Sequence, residues 1–167
     1  AIAVESASPR LQRMVRKNLD LDKVRRNAGL LVDAGMYVTG YFMLGFPTET
    51  LDEARATVDF ALASPVHQAQ FFRVTPFEGT PLYEASLDVM RSRGIHAGPQ
   101  QLEYFNGRCN VSAMTDHQLF GLQRSAYRRF YGSPRRLVRI LGRHPRRRHL
   151  FFYGLLALRR MIPAAGA

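Results

Sequence analysis

The pattern of apolar and polar residues predicts strands alternating with helices in the first half of the chain. The residues "IAVE" (Ile2–Glu5) are short, apolar and β-favouring, and they end in a carboxylate. A second apolar run, at residues 36–44, does not alternate and is typical of a parallel strand buried on both faces. A third run, "AQFFRV" at residues 69–74, is stopped by a Thr-Pro pair. The strands start roughly 30–35 residues apart, as in βαβ units, so we expect a parallel sheet.

Helix signals lie between these runs. The first helix is predicted between an N-cap at Asp20 or Asp22 and a stop at Gly35, because apolar residues recur there at helical spacing. Thr50 and Glu53 form a capping box that opens the second helix. We expect the carboxylates of Asp52, Glu53 and Asp59 to lie on the outer side of that helix, in solvent. Strands covered by helices in this order indicate the α/β class.

The second half of the chain changes character. It predicts two or three helices, of which the first carries an apolar stripe made by Leu119, Leu122, Ala126 and Phe130. The pattern breaks at "GSP" (residues 132–134) and again at Pro145. We therefore divide the chain into an α/β part at residues 1–85 and a mostly helical extension at residues 86–167.

Charge and cysteine content narrow the function classes. The 167 residues carry a net charge of +11, and twelve arginines but no acidic residue follow Asp116. The single cysteine, Cys109, excludes a disulfide framework and a metal cluster held by this chain's own thiolates. The five histidines are scattered without metal-ligand spacing, and we expect them on the surface. With no signal peptide and no apolar run of about 20 residues, we expect a cytoplasmic protein, with peripheral membrane association left open.

Four motifs in order carry a resemblance to a known family: "ES" after the first strand, "KNL" further on, "GFPTET" after the second strand and "TPFEGTPLYE" after the third. Together they resemble the second half of a radical S-adenosylmethionine domain, in the cobalamin-dependent branch. The tail segment "AYRRFYGSPRRLVRIL" resembles the C-terminal region of the same branch. The resemblance implies the C-terminal part of a partial (β/α) barrel with parallel strands, followed by a helical basic tail.

The resemblance also implies a cofactor site at the carboxyl ends of the strands, where ligands of βα architectures bind. Glu5 would bind the ribose or amino group of S-adenosylmethionine, with Ser6 beside it. Lys17 would bind the cofactor carboxylate, and Arg16 competes for that role. Judged by spacing alone, Glu5 could equally be a structural carboxylate and Lys17 a solvated lysine at a helix end.

The resemblance implies cofactor contacts in two further regions of this edge. Tyr41 and Met43 precede the "GFP" turn and would line the adenosyl site, although an apolar strand also accounts for both as core residues. The turn after the third strand, with Thr75 and Phe77, would close the adenine pocket.

The resemblance implies an S-adenosylmethionine cofactor, a 4Fe–4S cluster and cobalamin in the parent enzyme. The three-cysteine motif that holds the cluster in that family is absent from these residues, so this chain alone is not expected to bind it. A full barrel needs roughly 200 residues or more. We therefore expect a partner, either a missing N-terminal half or a separate chain that supplies it, and a truncated gene, a mispredicted start and a split enzyme all remain open.

Two functions follow. In the first, the chain is the C-terminal part of a cobalamin-dependent radical enzyme that cleaves S-adenosylmethionine reductively, inactive alone, with methyl transfer or ring formation as the outcome. In the second, it is a non-catalytic basic module for an anionic membrane surface or another polyanion. Nucleic acid is the less favoured partner, because the segment at residues 150–158 is too apolar to contact phosphates.

Overall fold

The computed structural model describes residues 1–95, 109–145 and 154–155. The elements run in the order β1 (Ile2–Glu5), α1 (Pro9–Met14), α2 (Leu21–Asp33), β2 (Thr39–Leu44), α3 (Leu51–Ala63), β3 (Gln68–Arg73), α4 (Pro81–Glu84), α5 (Leu87–Ser92), α6 (Asp116–Tyr131) and α7 (Pro134–Arg143). In this part of the chain no helix is both long and apolar enough to cross a membrane. A possible third helix after Pro145 lies outside the described residues apart from Gly154 and Leu155.

The strands of the described ranges form one parallel sheet in the order β1-β2-β3, which confirms the α/β class and the parallel pairing. The β2–β3 register is regular, whereas the register between β1 and β2 shifts between Ala3 and Glu5. Parallel sheets with helices occur both in barrels and in open doubly wound folds. The partial barrel therefore stays a prediction.

Local chemistry places α2 and α3 where the sequence predicts them, whereas the short helix α1 was not predicted. Asp20 caps α2 by accepting a hydrogen bond from the Lys23 N–H, and Gly35 follows its end with a φ of +85°. The capping box of Thr50 and Glu53 opens α3. These signals act within a few residues of each helix end, which is why they are visible in the sequence.

The prediction that the second strand is buried on both faces was wrong. Along β2, Gly40, Phe42 and Leu44 are buried, whereas Tyr41 and Met43 are exposed or half-buried. The buried face lies against helices, and its core includes Ala28 of α2, Val58 of α3, and Leu119, Tyr127 and Phe130 of α6. The other face carries Tyr41, Met43, Gln70 and Phe72 and is not buried to the same degree. It is called the open face below.

Helix α6 belongs to the same hydrophobic core as the sheet. Its predicted apolar stripe packs there, with Leu119, Ala126 and Phe130 fully buried and Leu122 partly buried. The break at residues 132–134 is confirmed, because α6 ends at Tyr131 and α7 begins at Pro134. No finding tests the proposed boundary between residues 85 and 86.

Candidate functional site at the carboxyl edge of the sheet

The strands are parallel, so β1, β2 and β3 end at the same edge of the sheet, which we call the rim. The residues following each strand are Ser6, Gly45 and Val74. Four of the predicted site residues, Glu5, Ser6, Thr75 and Phe77, lie at or just beyond strand ends here. Tyr41 and Met43 lie on β2, on the open face just before the rim.

Glu5 and Lys17 contact each other. The Lys17 ammonium lies 2.9 Å from Glu5 Oε1 and donates to the Ala3 carbonyl at 2.7 Å. Both side chains remain partly exposed, by 32% for Lys17 and 23% for Glu5. The carboxylate predicted to bind one part of the cofactor and the ammonium predicted to bind another therefore form one polar pair at the end of β1.

The backbone around this pair is strained. Glu5 has a φ of +67°, and Arg16 and Asn18 on either side of Lys17 have φ values of +55° and +47°. Left-handed backbone is costly for residues other than glycine and is concentrated at functional sites. Arg16, the competing candidate, precedes Lys17, and no ion pair of Arg16 with an acidic side chain occurs within the described residues.

Ser6 is fully buried and serves the local structure. Its hydroxyl lies 3.2 Å from the Thr57 hydroxyl of α3 and accepts a hydrogen bond from the Ser8 N–H at 3.1 Å. The buried amide of Gln12 donates to the Val4 carbonyl at 2.9 Å and to the Ser6 carbonyl. These bonds fix the end of β1 against α1 and α3, and so hold Glu5 in position.

The "GFPTET" turn has a buried carboxylate beneath it. Glu49 Oε2 accepts hydrogen bonds from the backbone N–H groups of Gly45 and, at 3.0 Å, of Phe46. The other oxygen, Oε1, is buried and has no hydrogen-bond partner among the described residues. Burial raises the pKa of Glu49 to about 7, although the two N–H donors act in the opposite direction. Near neutral pH this carboxyl is therefore close to its titration midpoint.

Gly45 could not be another residue without moving its neighbours. Its φ is +94°, and an added Cβ would lie 3.2 Å from the Leu119 side chain of α6. The turn also includes Thr48 at a φ of +62°, an unusual conformation for a β-branched residue. The "GFPTET" turn is thus held by hydrogen bonds to the Glu49 carboxylate and lies against Leu119 of α6.

The expectation of a solvated charge was wrong for Glu53, whereas Asp52 and Asp59 are exposed. The Glu53 carboxylate accepts from the Ser8 hydroxyl at 2.7 Å and from the Arg10 guanidinium at 2.7 and 2.9 Å. Arg10 also donates to the hydroxyl and carbonyl of Thr48. The hydrogen bond from Arg10 is the main reason that the pKa of Glu53 falls to about 2. This cluster joins α1, the rim turn and α3.

The end of β3 completes the rim. Thr75 is buried, whereas Phe77 is exposed. The loop turns at Gly79, and Thr80 caps α4 by accepting from the Tyr83 N–H. On the open face, the Tyr41 ring meets the edge of Phe72 at a centroid distance of 5.8 Å, and Met43 packs against a small cluster of Leu11, Phe46 and Val74. These side chains give the open face an aromatic and apolar surface next to the polar pair.

The structure shows no metal-binding group within its described ranges. No set of three or more His, Cys, Asp and Glu side chains is placed there to hold an ion. Cys109 is buried, and burial raises the pKa of its thiol. The expectation that all histidines lie on the surface was wrong for His67, which is buried, stacks on Tyr37 at 5.0 Å and accepts from the Val38 N–H.

Sequence reasoning missed Glu49 as a site residue. The only signal was a glutamate in the turn itself, directly before the Thr50 N-cap, and nothing local distinguishes a buried carboxylate from a solvated one. It also missed Gln12 and Thr57, whose partners near the end of β1 lie on other elements.

Comparison with known proteins finds similarity to methyltransferases. No protein-family model matches the chain. It is 28% identical over 141 residues to an uncharacterized methyltransferase of Pyrococcus horikoshii, covering 84% of this chain and 30% of that protein. It is 30% identical over 87 residues to the cytidylyl-2-hydroxyethylphosphonate methyltransferase of Streptomyces wedmorensis, covering 48% of this chain and 16% of that protein.

A third relative is the bacteriochlorophyllide d C-12(1)-methyltransferase of Chlorobaculum tepidum, 28% identical over 92 residues, which cover 54% of this chain and 20% of that protein. The chain thus spans less than a third of the length of each of these relatives. All three are named as methyltransferases, and the chain is similar to a part of each.

Proposed function

We propose that this chain is the C-terminal, cofactor-positioning part of an S-adenosylmethionine-dependent methyltransferase of the cobalamin-dependent radical branch. The observation that carries the proposal is the Glu5–Lys17 pair on strained backbone at the end of β1, next to the glycine turn after β2. The similarity to three proteins named as methyltransferases supports methyl transfer as the reaction class.

The polar pair suits the amino-acid end of S-adenosylmethionine. A carboxylate can accept from an ammonium group or a ribose hydroxyl, and a lysine can donate to a carboxylate. Glu5 and Lys17 present both functions 2.9 Å apart and partly exposed. In the free chain each neutralises the other, and in the complex each would exchange part of that contact for the cofactor's group of opposite charge.

The open face suits the adenosyl end. Tyr41 and Met43 offer an aromatic ring and a thioether beside the rim, and Phe72 lies against Tyr41. Flat apolar surfaces of this kind stack on bases. Phe77 is exposed on the loop after β3, where it can cover a ring bound at the rim. When bound, the cofactor supplies a methyl group or a 5′-deoxyadenosyl radical, and this chain's residues hold and orient it.

A 4Fe–4S cluster does not fit this chain. Three thiolates are needed, and the chain has one cysteine, which is buried. In the proposed enzyme the cluster ligands belong to residues outside this chain, on a preceding half or on a partner. The edge of β1 is where such a half would join the sheet, because no strand pairs with its outer side in the described ranges. No described residue is assigned to cobalamin.

Glu5→Gln tests the proposed site. Titration calorimetry of the 167-residue chain with S-adenosylmethionine should show binding that the variant weakens roughly ten- to a hundredfold, as expected for loss of a charge-assisted hydrogen bond. Glu78→Gln is the matched control, since Glu78 is an exposed carboxylate in the loop after β3. If the wild-type chain does not bind, or if both variants lose the same affinity, the assignment of Glu5 is wrong.

A second experiment tests whether cluster binding and cleavage of S-adenosylmethionine require residues outside this chain. After anaerobic incubation with iron and sulfide, the isolated chain should show no stoichiometric iron–sulfur absorbance and release no 5′-deoxyadenosine, because it lacks the thiolates. Supplying the missing half in trans should restore both. A cluster and turnover in the isolated chain would contradict the proposal.

A further inference from the structure

Helix α7 packs with two of its four arginines, Arg136 and Arg139, turned toward the protein. Arg136 is 9% exposed, donates to the Leu62 carbonyl at 2.8 Å and also to the Val66 carbonyl, and its guanidinium lies 3.8 Å from the Phe130 ring centroid. Arg139 donates to the Pro65 carbonyl. These carbonyls belong to the end of α3 and the loop before β3. Two basic side chains therefore attach this helix to the protein through hydrogen bonds.

The opposite side of α7 is apolar and exposed. Leu137, Val138 and Leu141 are 43%, 69% and 54% exposed. Residues at i, i+1 and i+4 lie on one side of a helix, so the three side chains form a continuous stripe. Exposed single apolar residues are common, but a stripe of three aliphatic residues on one short helix indicates an interaction surface.

We propose that this stripe is a docking surface for an anionic lipid bilayer. The surrounding charge supports that partner: the chain carries +11, no acidic residue follows Asp116, and the exposed Arg135 adjoins the stripe. Helices with aliphatic residues on one side and arginines beside them bind at the headgroup boundary, where the apolar residues insert and the guanidinium groups remain among phosphates. The inference is independent of the proposed methyl transfer.

Other occupants fit less well. A second copy of the chain would bring two strongly positive molecules together. Nucleic acid would need arginines across the outward face of α7, yet that face is aliphatic, and two of the helix's four arginines, Arg136 and Arg139, are bound to backbone carbonyls. The chain's own segment after Pro145 is apolar in part, but it also contains Arg146, Arg147 and Arg148, which add positive charge rather than complement it.

Vesicle flotation with the full 167-residue chain tests the proposal. The wild type should float with phosphatidylcholine vesicles that contain phosphatidylserine and much less with phosphatidylcholine alone. Binding should weaken as salt shortens the Debye length from about 10 Å at 0.1 M to about 3 Å at 1 M. The double variant Leu137→Gln/Leu141→Gln should reduce the partition coefficient about tenfold, because two apolar side chains no longer leave water.

Leu30→Gln is the matched control, since Leu30 is a 67% exposed leucine on α2; its binding should equal that of the wild type. Equal flotation of the double variant and the control would overturn the proposal, as would equal binding to both vesicle types. So would a lower Tm of the double variant than of Leu30→Gln, which would show that the chain itself covers the stripe. Loss of a dimer, or of RNA binding, in the double variant without an effect on vesicles would assign the stripe to that partner instead.

Discussion

The two outer strands of the sheet, β3 and β1, are stabilised by different kinds of contact. On the β3 side, neutral side chains of α6 bond the strand's outer edge: Tyr127 accepts from the Phe71 N–H at 3.0 Å, Tyr131 donates to the Ala69 carbonyl at 2.9 Å and Gln123 donates to the Phe71 carbonyl at 2.7 Å. On the β1 side, two ion pairs are added to neutral hydrogen bonds such as those made by Gln12 and Thr57. Lys17 pairs with Glu5, and Arg10 pairs with Glu53.

Strain follows the same division. Within the described residues, every non-glycine residue with a positive φ lies between β1 and the rim turn, namely Glu5, Arg16, Asn18 and Thr48. The β3 edge is a finished edge, since side chains at i, i+4 and i+8 of α6 satisfy its backbone groups. Edges that stay open are usually covered or paired. Within the described residues, β1 is therefore the outer strand with unused pairing capacity.

Removal of a large ring from the β3 side should have the largest effect. Phe71 is fully buried, stacks on Phe42 at 5.5 Å and meets the edge of Tyr127 at 5.3 Å. Phe71→Ala should lower the free energy of unfolding by about 3–5 kcal/mol. Phe72→Ala is the control on the open face of the same strand, where the ring is only half-buried. Urea unfolding would refute the comparison if the two variants lost equal stability.

The next prediction concerns pH on the other side. The folded pKa of Glu49 is about 7 against an ordinary value of 4.5, so the folded state holds this proton more tightly. The protonated Glu49 therefore stabilises the fold. Its contribution to the free energy of unfolding is fully present below about pH 4.5 and is lost as pH rises through 7, with an amplitude on the order of 3 kcal/mol. Glu49→Gln should remove this decline, because an amide can still accept from the Gly45 and Phe46 N–H groups.

Glu53 provides the control for that experiment. Its folded pKa is about 2, so its contribution is present above about pH 4.5 and is lost as pH falls toward 2. Glu53→Gln should therefore lower stability by a nearly constant amount above about pH 4.5, and this difference from the wild type should shrink as pH falls toward 2. The decline between pH 4.5 and 7 should remain. If Glu49→Gln and wild type show parallel stability curves between those values, the buried carboxyl is not the titrating group.

The third prediction is a smaller loss of stability, at the outer edge of β3. Tyr127→Phe removes the hydroxyl that accepts from the Phe71 N–H and leaves a buried donor without its partner. The expected loss is about 1–3 kcal/mol, independent of pH between 4.5 and 7. Tyr41→Phe, on the open face, should change stability little. A pH-dependent loss in Tyr127→Phe would contradict the contrast between the neutral contacts of β3 and the ion pairs of β1.

The sequence predicted those features that depend on neighbouring residues. The alternation of the three strands with α2 and α3, the Asp20 cap, the capping box at Thr50 and the apolar stripe of α6 are confirmed, whereas the short helix α1 was not predicted. Each confirmed feature rests on hydrogen bonds or spacing within one element. The motifs also indicated the rim, because parallel strands bring their carboxyl ends to one edge wherever they lie in the chain.

The sequence did not predict features that depend on distant partners. The burial of β2 alternates along the strand, but this was not visible in the sequence because apolar residues, Tyr41 and Met43, also occupy the open face. The arginines after Asp116 indicated a basic module, yet Arg136 is buried because carbonyl groups more than 70 residues earlier in the chain accept its hydrogen bonds. Glu49 was overlooked because its turn contacts residues distant in the chain: Leu11 of α1 lies in one cluster with Phe46, and the Ala113 N–H donates to the Glu49 carbonyl.

The smallest expected effect lies at the open edge itself. Lys17→Met removes the ammonium that contacts Glu5 and the Ala3 carbonyl, while the side-chain stem is kept. Both charged groups are partly exposed, and ion pairs of this kind contribute about 0.2–1 kcal/mol, so the loss of stability should fall within that range and shrink at high salt. Lys23→Met, which removes the chain's other lysine, from the first turn of α2, controls for net charge. If Lys17→Met were as costly as Tyr127→Phe, the β1 side would be a finished structural edge like that of β3. A small loss of stability, together with weaker binding of S-adenosylmethionine, would instead indicate that this pair is placed for a ligand rather than for the fold.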